Sequence, residues 1–447
     1  GDAVHGGDTV VQAVADGKMA ALDIARRLHL VENDDKVRDI NEIIPGYRDE
    51  PSLQIDFCGL KFPNPFCLSS SPVSNTGDMC ARAFDAGWGG VYYKTLNLDD
   101  QFKILHPSPR LAAVHSTPAG ERFGVGIQNV EQISDRPLKD NLKDIEWLKK
   151  RYPSNIVGVS IMGYRDEDWE VLARSAELAG ADILELNFSC PQMVRSDAGH
   201  HVGQQFDLIE RYTRVAKNSC SIPVIAKMTP NITDMLPAAL SAQRGGADGI
   251  SAINTLKSIS HIELNYSASD SQIYKPQPSI SGNSSISGFS GNAGRPIALR
   301  FVAEMARDPR LNIPISGMGG IYTWHDAVEF LALGASNLQA TTSVMRHGYG
   351  IVEDLIDGLQ RHLRNIGASS LEDMIGNSLK YIKEPSELDM STESVSFINT
   401  DKCIGCGACV TSCSDAGAQA IRLVNGAAQV DQQLCVGCNL CENVCPV

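Results

Sequence analysis

Residues 401–413 read DKCIGCGACVTSC, and residues 433–445 read QLCVGCNLCENVC. Each stretch spaces four cysteines as C-x2-C-x2-C-x3-C, so that the second stretch is a diverged internal repeat of the first. These eight cysteines are the majority of the 13 in the chain. The first residues carry no apolar run typical of a secretory signal, and a tight cysteine cluster in such a chain indicates metal ligation rather than disulfides.

The cysteine spacing resembles that of bacterial two-cluster ferredoxins, in which the fourth cysteine of each run ligates the other cluster. The resemblance implies a small α+β domain with two [4Fe–4S] clusters over residues 398–447. One cluster would take Cys403, Cys406, Cys409 and Cys445, and the other would take Cys435, Cys438, Cys441 and Cys413. The alternative is a pair of zinc sites or disulfides, although zinc ribbons use two ligands from each loop rather than three. Two clusters form a one-electron relay, which implies a two-electron redox centre at one or both of its ends.

Residues 52–370 alternate short apolar runs with longer helical patterns. The apolar runs number eight: Pro65–Ser69, Gly90–Lys94, Ile156–Met162, Asp182–Asn187, Pro223–Met228, Gly249–Asn254, Ile313–Gly317 and Leu338–Thr342. Eight β-α units predict an α/β fold of the (β/α)8 TIM-barrel type, and a doubly wound sheet is the alternative. The connections over 97–155 and 256–294 are long, and the second, rich in Ser and Gly, is expected to cover the barrel mouth.

The remaining segments are short. Residues 1–29 carry one helical pattern, from Thr9 to Leu28. Residues 30–51 and 371–397 are polar and charged, which is typical of linkers. Because the sequence lacks an initiator Met and stops directly after Cys445-Pro446-Val447, we expect the chain to be part of a longer protein.

The composition excludes several classes of function. Lys and Arg total 39 and Asp and Glu total 53, which gives a formal net charge of −14 without a basic run. Such a chain is not expected to bind nucleic acid or an anionic membrane. No apolar run approaches the roughly 18 residues of a transmembrane helix. We therefore expect a globular cytoplasmic protein.

In a (β/α)8 barrel the chemistry lies at the carboxyl ends of the strands. The predicted strand ends are unusually polar: Tyr93-Lys94-Thr95, Asn187-Phe188-Ser189-Cys190-Pro191, Lys227-Met228-Thr229, Asn254-Thr255, Gly317-Met318-Gly319-Gly320 and Thr341-Thr342. The last two resemble a phosphate site, because paired glycines let backbone N–H groups approach an anion and threonines at a helix start add donors.

Three side chains at these ends suggest redox chemistry. A buried lysine is costly unless it is paired. A flavin accounts for both lysines, because a cation near N1–C2=O stabilises the reduced ring. Lys227 is the candidate for that role and Lys94 for a second contact, whereas the alternative is that each lysine pairs with a barrel carboxylate. Cys190 is a candidate general acid, and its alternative role is that of a small buried apolar residue.

The motifs KFPNPF, NFSCP, AKMTPN, INT, SGFSG and GMGG, together with Lys94-Thr95 and the paired cysteine runs, resemble dihydropyrimidine dehydrogenase from about residue 52 to 447. In that family a flavin barrel of the dihydroorotate dehydrogenase type precedes a ferredoxin-like domain. The resemblance implies an enzyme of pyrimidine catabolism that reduces the 5,6 double bond of uracil or thymine. NAD(P)H would supply the electrons through FAD and the clusters.

The resemblance also implies roles for individual residues. FMN would be held by Ser69, Ser70, Lys94, Thr95, Lys227, Gly291, Met318, Gly319, Gly320, Thr341 and Thr342. The pyrimidine would be bound by Asn129, Glu131, Asn187, Ser189, Asn254 and Thr255. Asn carboxamides suit a ring that alternates N–H donors and C=O acceptors. Cys190 would protonate C5 while a hydride reaches C6.

Residues 1–29 resemble the last segment of a glutamate-synthase-type FAD/NAD(P)H oxidoreductase domain, in which Asp2 would contact FAD. FAD and NAD(P)H would then bind in a preceding part of the chain or in a partner subunit, and the family implies a homodimer. Two alternatives stay open. One is a flavoenzyme like dihydroorotate dehydrogenase, although Glu131 would repel the carboxylate of its substrate. The other is an electron-transfer module with an inactive barrel.

Overall fold

The computed structural model describes residues 51–98, 104–114, 124–189, 199–264 and 274–447, together with Gly17, Ala20, Ala21 and Ile24, which are helical. Two compact units divide between Leu379 and Lys380. Asp2 and Cys190, two of the predicted site residues, lie outside the described residues.

The strands are β1 Ile55–Phe57, β2 Leu60–Phe62, β3 Phe66–Leu68, β4 Gly90–Leu96, β5 Leu111–Val114, β6 Gly126–Asn129, β7 Ile156–Ile161, β8 Ile183–Asn187, β9 Val224–Lys227, β10 Gly249–Ala252, β11 Leu256–Ser258, β12 Ile262–Leu264, β13 Tyr274–Pro276, β14 Ser287–Ser290, β15 Ile315–Met318, β16 Ala335–Ala340, β17 Ile421–Val424 and β18 Ala427–Val430. The helices are α1 Gly77–Asp85, α2 Leu138–Arg151, α3 Asp166–Leu178, α4 Phe206–Ser219, α5 Leu236–Arg244, α6 Arg295–Arg307, α7 Trp324–Ala332, α8 Thr342–His347, α9 Ile351–Ile366, α10 Ala408–Ala416 and α11 Leu440–Asn443.

Eight strands of the first unit close into a barrel. They follow one another in chain order as β3, β4, β7, β8, β9, β10, β15 and β16, and β16 returns to pair in parallel with β3. β4 and β7 are buried along their whole length, which explains why barrel strands read as continuous apolar runs. The predicted TIM-type barrel is confirmed, and the doubly wound sheet is excluded because the sheet is closed.

The outer helices are amphipathic and pack on the barrel with one face. In α9 the buried residues include Val352, Leu355, Leu359 and Leu363, which lie three or four positions apart. α9 ends at Ile366, and the next residue, Gly367, has a φ of 72°, the left-handed conformation that glycine adopts without strain. No described helix is both long enough and apolar enough to cross a membrane.

The two long connections build a second sheet. β5 and β6 come from the first connection and β11 and β14 from the second, and they pair antiparallel in the order β11-β14-β6-β5. Gln128 of β6 is fully buried, and its Nε2 donates to the carbonyl oxygens of Ser258 (3.3 Å) and Ser285 (3.1 Å). These hydrogen bonds join the second connection to the first, and they hold β6, the strand that carries Asn129, in place.

The C-terminal unit is a small α+β domain, as predicted. β17 and β18 form an antiparallel hairpin between α10 and α11. Its buried apolar residues are Cys413, Ala420, Ile421 and Ala428. Both cysteine runs of the sequence lie in this unit.

Candidate functional site

A cavity of about 1150 Å³, counting its open mouth, lies at the carboxyl ends of the barrel strands. Residues of β6 and β14, from the second sheet, complete its wall. The predicted residues that line it are Ser69, Ser70, Lys94, Thr95, Asn129, Glu131, Asn187, Lys227, Asn254, Thr255, Gly291, Met318, Gly319, Gly320, Thr341 and Thr342. Ser189 is not among the lining residues, but it is hydrogen-bonded to two of them, Asn187 and Asn254.

Lys227, at the end of β9, is buried against a carboxylate. Its side chain is 3% exposed, and its Nζ lies 3.1 Å from Glu185 Oε1 and 3.1 Å from Ser69 Oγ. Glu185, on β8, is fully buried, and its Oε2 accepts hydrogen bonds from Ser251 Oγ at 2.9 Å and Gln339 Nε2 at 3.2 Å. Sequence reasoning missed Glu185. The available signal was an acidic residue inside a buried strand, which needs a cation nearby.

Lys94, at the end of β4, donates to Glu131 Oε1, and both side chains are 3% exposed. Glu131 Oε2 lies 3.4 Å from Arg110 Nη1. Lys227 and Lys94 are therefore each paired with a carboxylate, as the alternative interpretation held. Both lysines nevertheless line the cavity, so pairing and ligand contact are compatible.

His106 is a second residue that sequence reasoning missed. Its side chain is 1% exposed, and its Nε2 lies 3.6 Å from Glu131 Oε1 and 3.7 Å from Asp135 Oδ1, both beyond hydrogen-bond distance. Burial, followed by the charge of Lys94, lowers the pKa of His106 to about 4. The imidazole is therefore neutral at pH 7 beside the carboxylate of Glu131. No periodic pattern marked this residue.

Hydrogen bonds fix the orientation of the amide side chains. Asn187 Nδ2 donates to Thr95 Oγ1 at 3.0 Å, and Asn187 Oδ1 accepts from the N–H and the hydroxyl of Ser189, each at 3.1 Å. Asn254 Nδ2 donates to Ser189 Oγ at 2.7 Å. Asn129 Oδ1 accepts from the N–H of Glu131 at 2.6 Å. The cavity thus presents amides that are already oriented.

The glycine-rich side of the cavity leaves room for a ligand to approach the backbone. Gly291, Gly319 and Gly320 have φ values of 130°, 126° and 80°. A Cβ on Gly320 would lie 2.8 Å from Arg295 Cβ and 3.0 Å from the carbonyl oxygen of Gly291, so a larger residue would force these neighbours to shift. Ser71 Oγ and Ser343 Oγ line the same cavity, and both are buried with no hydrogen-bond partner in the described part of the chain. Buried hydroxyls need partners, and the phosphate of a flavin nucleotide would supply them.

In the C-terminal unit, the eight cysteines line two cavities. One is lined by Cys403, Cys406, Cys409, Cys441 and Cys445, and the other by Cys413, Cys435, Cys438 and Cys441, so that Cys441 lines both. The fourth cysteine of each run therefore lies beside the other run, which is the grouping that crossed ligation requires. None of these eight cysteines forms a disulfide.

Backbone donors face the cysteine sulfurs. The N–H of Ala428 donates to Cys403 Sγ at 3.4 Å, and the N–H of Ser396 donates to Cys435 Sγ at 3.4 Å. These hydrogen bonds lower the pKa of Cys403 and of Cys435, because they stabilise the thiolate. The thiolate is the form that binds iron.

Fold and site together define a class: an oxidoreductase whose flavin-type barrel cavity is followed by an iron–sulfur domain. Residues 52–363 match the dihydroorotate dehydrogenase family, and residues 396–447 match the 4Fe-4S dicluster domain. A flavin in the barrel and iron–sulfur clusters in the C-terminal unit follow from these matches.

Three relatives narrow the class. The NAD-dependent dihydropyrimidine dehydrogenase subunit PreA of Escherichia coli K12 is 48% identical over 398 residues, which are 88% of this chain and 94% of the relative. The chloroplastic dihydropyrimidine dehydrogenase (NADP(+)) of Arabidopsis thaliana is 39% identical over 78% of this chain and 82% of its own. The catalytic subunit of dihydroorotate dehydrogenase B (NAD(+)) of Pyrococcus abyssi is 34% identical over 73% of this chain and 99% of its own. The chain belongs to the dihydropyrimidine dehydrogenase family.

Proposed function

We propose that this chain reduces the 5,6 double bond of uracil and thymine. The observation that carries the proposal is the charge state of the cavity. The cations among its described lining residues, Lys94 and Lys227, are each paired with a buried carboxylate, Glu131 and Glu185. A cavity whose cations are already neutralised favours an uncharged ring over a substrate that carries a carboxylate.

The residues present fit FMN. Lys227 and Ser69 would lie against the ring, and the glycines of the segment Met318–Gly320, with Ser71 and Ser343, would hold the phosphate. When bound, FMN supplies the hydride that is added to C6 of the pyrimidine. Glu185 holds the Lys227 ammonium in place through their ion pair.

The oriented amides would bind the pyrimidine. A uracil edge alternates N–H donors with C=O acceptors, and a carboxamide offers both kinds of group. Asn187 and Asn254 each use one N–H to bond a neighbouring side chain, which leaves their second N–H for a ring carbonyl. The ring would therefore bind in one orientation.

Cys190 would supply the proton. It follows Ser189, which is fully buried and whose hydroxyl contacts both Asn187 and Asn254. We propose that the Cys190 thiol protonates C5 as the hydride reaches C6, so that one hydride and one proton saturate the double bond. A thiol with an ordinary pKa near 8.5 is protonated at neutral pH and can act as this acid.

The electrons would come from NAD(P)H through FAD, in a further domain or a partner subunit, and then through the two clusters. The Escherichia coli relative is itself named as a subunit. NAD(P)H gives two electrons at once, whereas each cluster carries one. The clusters would therefore pass single electrons in succession to the flavin.

The second candidate is a flavoenzyme like dihydroorotate dehydrogenase, which the match over residues 52–363 favours. Anaerobic enzyme would be reduced with dithionite and then mixed with uracil or with orotate, while the flavin absorbance is recorded. We expect uracil to reoxidise the flavin and orotate to leave it reduced. The reverse pattern would replace the proposed substrate by the carboxylated ring.

A variant tests the acid. Cys190→Ala should keep its FMN and lose roughly 10²–10⁴-fold in the rate of flavin reoxidation by uracil, the range for one general acid. Cys220→Ala is the matched control, because Cys220 Sγ bonds the carbonyl oxygen of Ala216 in an outer helix. Equal rates in the two variants would remove Cys190 from the mechanism.

A further inference from the structure

The C-terminal unit has an internal symmetry that can be read at single residues. Each cysteine of the first run has its counterpart 32 positions later, for example Cys403 and Cys435, or Cys409 and Cys441. The residues that donate backbone hydrogen bonds to the two runs are also 32 positions apart. The N–H of Ser396 donates to Cys435 Sγ, and the N–H of Ala428 donates to Cys403 Sγ, each at 3.4 Å.

Two glycines support the same correspondence. A Cβ on Gly405, in the first run, would collide with the carbonyl oxygen of Gly426. A Cβ on Gly437, its counterpart in the second run, would collide with the carbonyl oxygen of Ser394. Residues 394–396 therefore cover the second run as residues 426–428 cover the first.

The correspondence fails where Ser396 stands opposite Ala428. Ser396 Oγ lies 3.0 Å from Cys441 Sγ, whereas its counterpart Ala428 has only a methyl group to present to the first run. Cys441 as an iron ligand is a thiolate without a proton, so the Ser396 hydroxyl must be the donor. Ser396 thus gives two hydrogen bonds to the second cavity, one from its backbone and one from its side chain.

We propose that the Ser396 hydroxyl raises the reduction potential of the cluster held by Cys413, Cys435, Cys438 and Cys441. Reduction adds negative charge to the cluster, and a donor aimed at a ligand sulfur stabilises that charge. The cluster of the other four cysteines has Ala428 at this position. The hydroxyl therefore adds to the difference that the N–H of Ala420 already makes, since this group donates to Cys413 Sγ at 3.3 Å. Electrons would fill the Ser396 cluster first. The proposal rests on the crossed cluster assignment used above.

The test is a redox titration of the complete chain with its clusters, followed by electron paramagnetic resonance. Ser396→Ala should move one couple to more negative potential, by up to about tenfold in its reduction equilibrium, or about 59 mV for a one-electron couple. The other couple should stay in place. Ser396→Thr keeps a hydroxyl and should keep the potential.

The symmetry provides a reciprocal variant. Ala428→Ser would place a hydroxyl beside Cys409, the counterpart of Cys441, and should raise the potential of the other couple. Ser391→Ala is the matched control, because Ser391 precedes the covering residues 394–396 and its hydroxyl donates to Asp389 rather than to sulfur. It should leave both couples unchanged.

The proposal is overturned if Ser396→Ala retains its iron and shifts neither couple, or shifts both equally. If Ser396→Ala loses iron, Ala428→Ser decides, and an unmoved couple in that variant also overturns the proposal. The outcome is independent of the substrate: a flavin that does not respond to uracil, in a chain whose cluster potentials shift as expected, would refute the proposed function alone.

Discussion

The barrel and the C-terminal unit prepare their reactive groups in different ways. In the barrel the protein supplies both members of each buried ion pair, such as Lys227 and Glu185, and rigid strands hold them. In the C-terminal unit the reactive groups are eight cysteines, of which Cys406, Cys438 and Cys445 are exposed. The barrel site is thus organised by its own side chains, whereas the C-terminal site lacks internal partners for its sulfurs beyond a few N–H and O–H donors.

The size of each core explains the difference. The barrel core includes buried residues from every one of its eight strands. The buried apolar residues of the C-terminal unit are Cys413, Ala420, Ile421 and Ala428. Domains this small rarely reach stability from a hydrophobic core alone and usually need a metal or disulfides. The clusters therefore supply the stability that the small apolar core of this unit cannot.

The largest expected effect follows from this contrast. Chelation of iron, or Cys409→Ser together with Cys441→Ser, should unfold the C-terminal unit and leave the barrel folded, because metal binding and folding are coupled in such domains. Hydrogen exchange would show the loss of amide protection in β17 and β18 while β7 and β8 stay protected. Cys220→Ser is the control, since this thiol lies in the barrel unit. Protection that persists in β17 and β18 without iron would show that the C-terminal unit folds without its clusters.

The next effect tests the barrel side. Glu185→Gln leaves the Lys227 ammonium buried without its counter-ion, so we expect a loss of about 3–5 kcal/mol in the free energy of unfolding. Denaturant unfolding of the barrel in the absence of FMN measures this loss. Lys227→Met in the same chain should recover part of it, because the uncompensated charge is then gone.

An exposed ion pair is the control for this measurement. Asp357 and Arg361 form a pair on α9 at 2.6 Å with more than half of each side chain exposed. Asp357→Asn should cost less than about 1 kcal/mol. If Glu185→Gln costs as little, Lys227 and Glu185 do not behave as a buried ion pair.

Local patterns made much of the molecule predictable. The barrel strands were found because buried parallel strands are apolar runs, and the cysteine runs because their ligands lie close together in sequence. β16 begins at Ala335, earlier than the predicted Leu338, because the polar Ser336 and Asn337 interrupt the apolar signal. Asn337 is nevertheless fully buried, where it accepts from Ser316 Oγ at 2.7 Å.

Partners distant in sequence were not predictable in the same way. Glu185 and Lys227 are 42 positions apart, and Lys94 and Glu131 are 37 positions apart. Each pair is brought together by barrel closure, or by the strand added above the barrel, which no local pattern encodes. The lysines were identified from their strand ends, but their counter-ions required the three-dimensional structure.

The smallest expected effect concerns His106, a buried side chain that lies near charged residues of the barrel site. Burial and the charges of Lys94 and Arg110 lower its pKa to about 4, Asp135 opposes them, and Glu131 also faces the ring. The unfolded chain, with a His pKa near 6.5, binds more protons than the folded chain between pH 6.5 and pH 4. The free energy of unfolding should therefore fall as the pH is lowered through this window, and this contribution should vanish above it.

His106→Asn should have a flatter pH dependence of barrel unfolding between pH 7.5 and pH 5, with any difference at pH 7.5 arising from packing alone. Identical slopes in the two proteins would show that the imidazole takes up its proton in the folded barrel as readily as in the unfolded chain. The folded barrel would then not hold His106 in its neutral form.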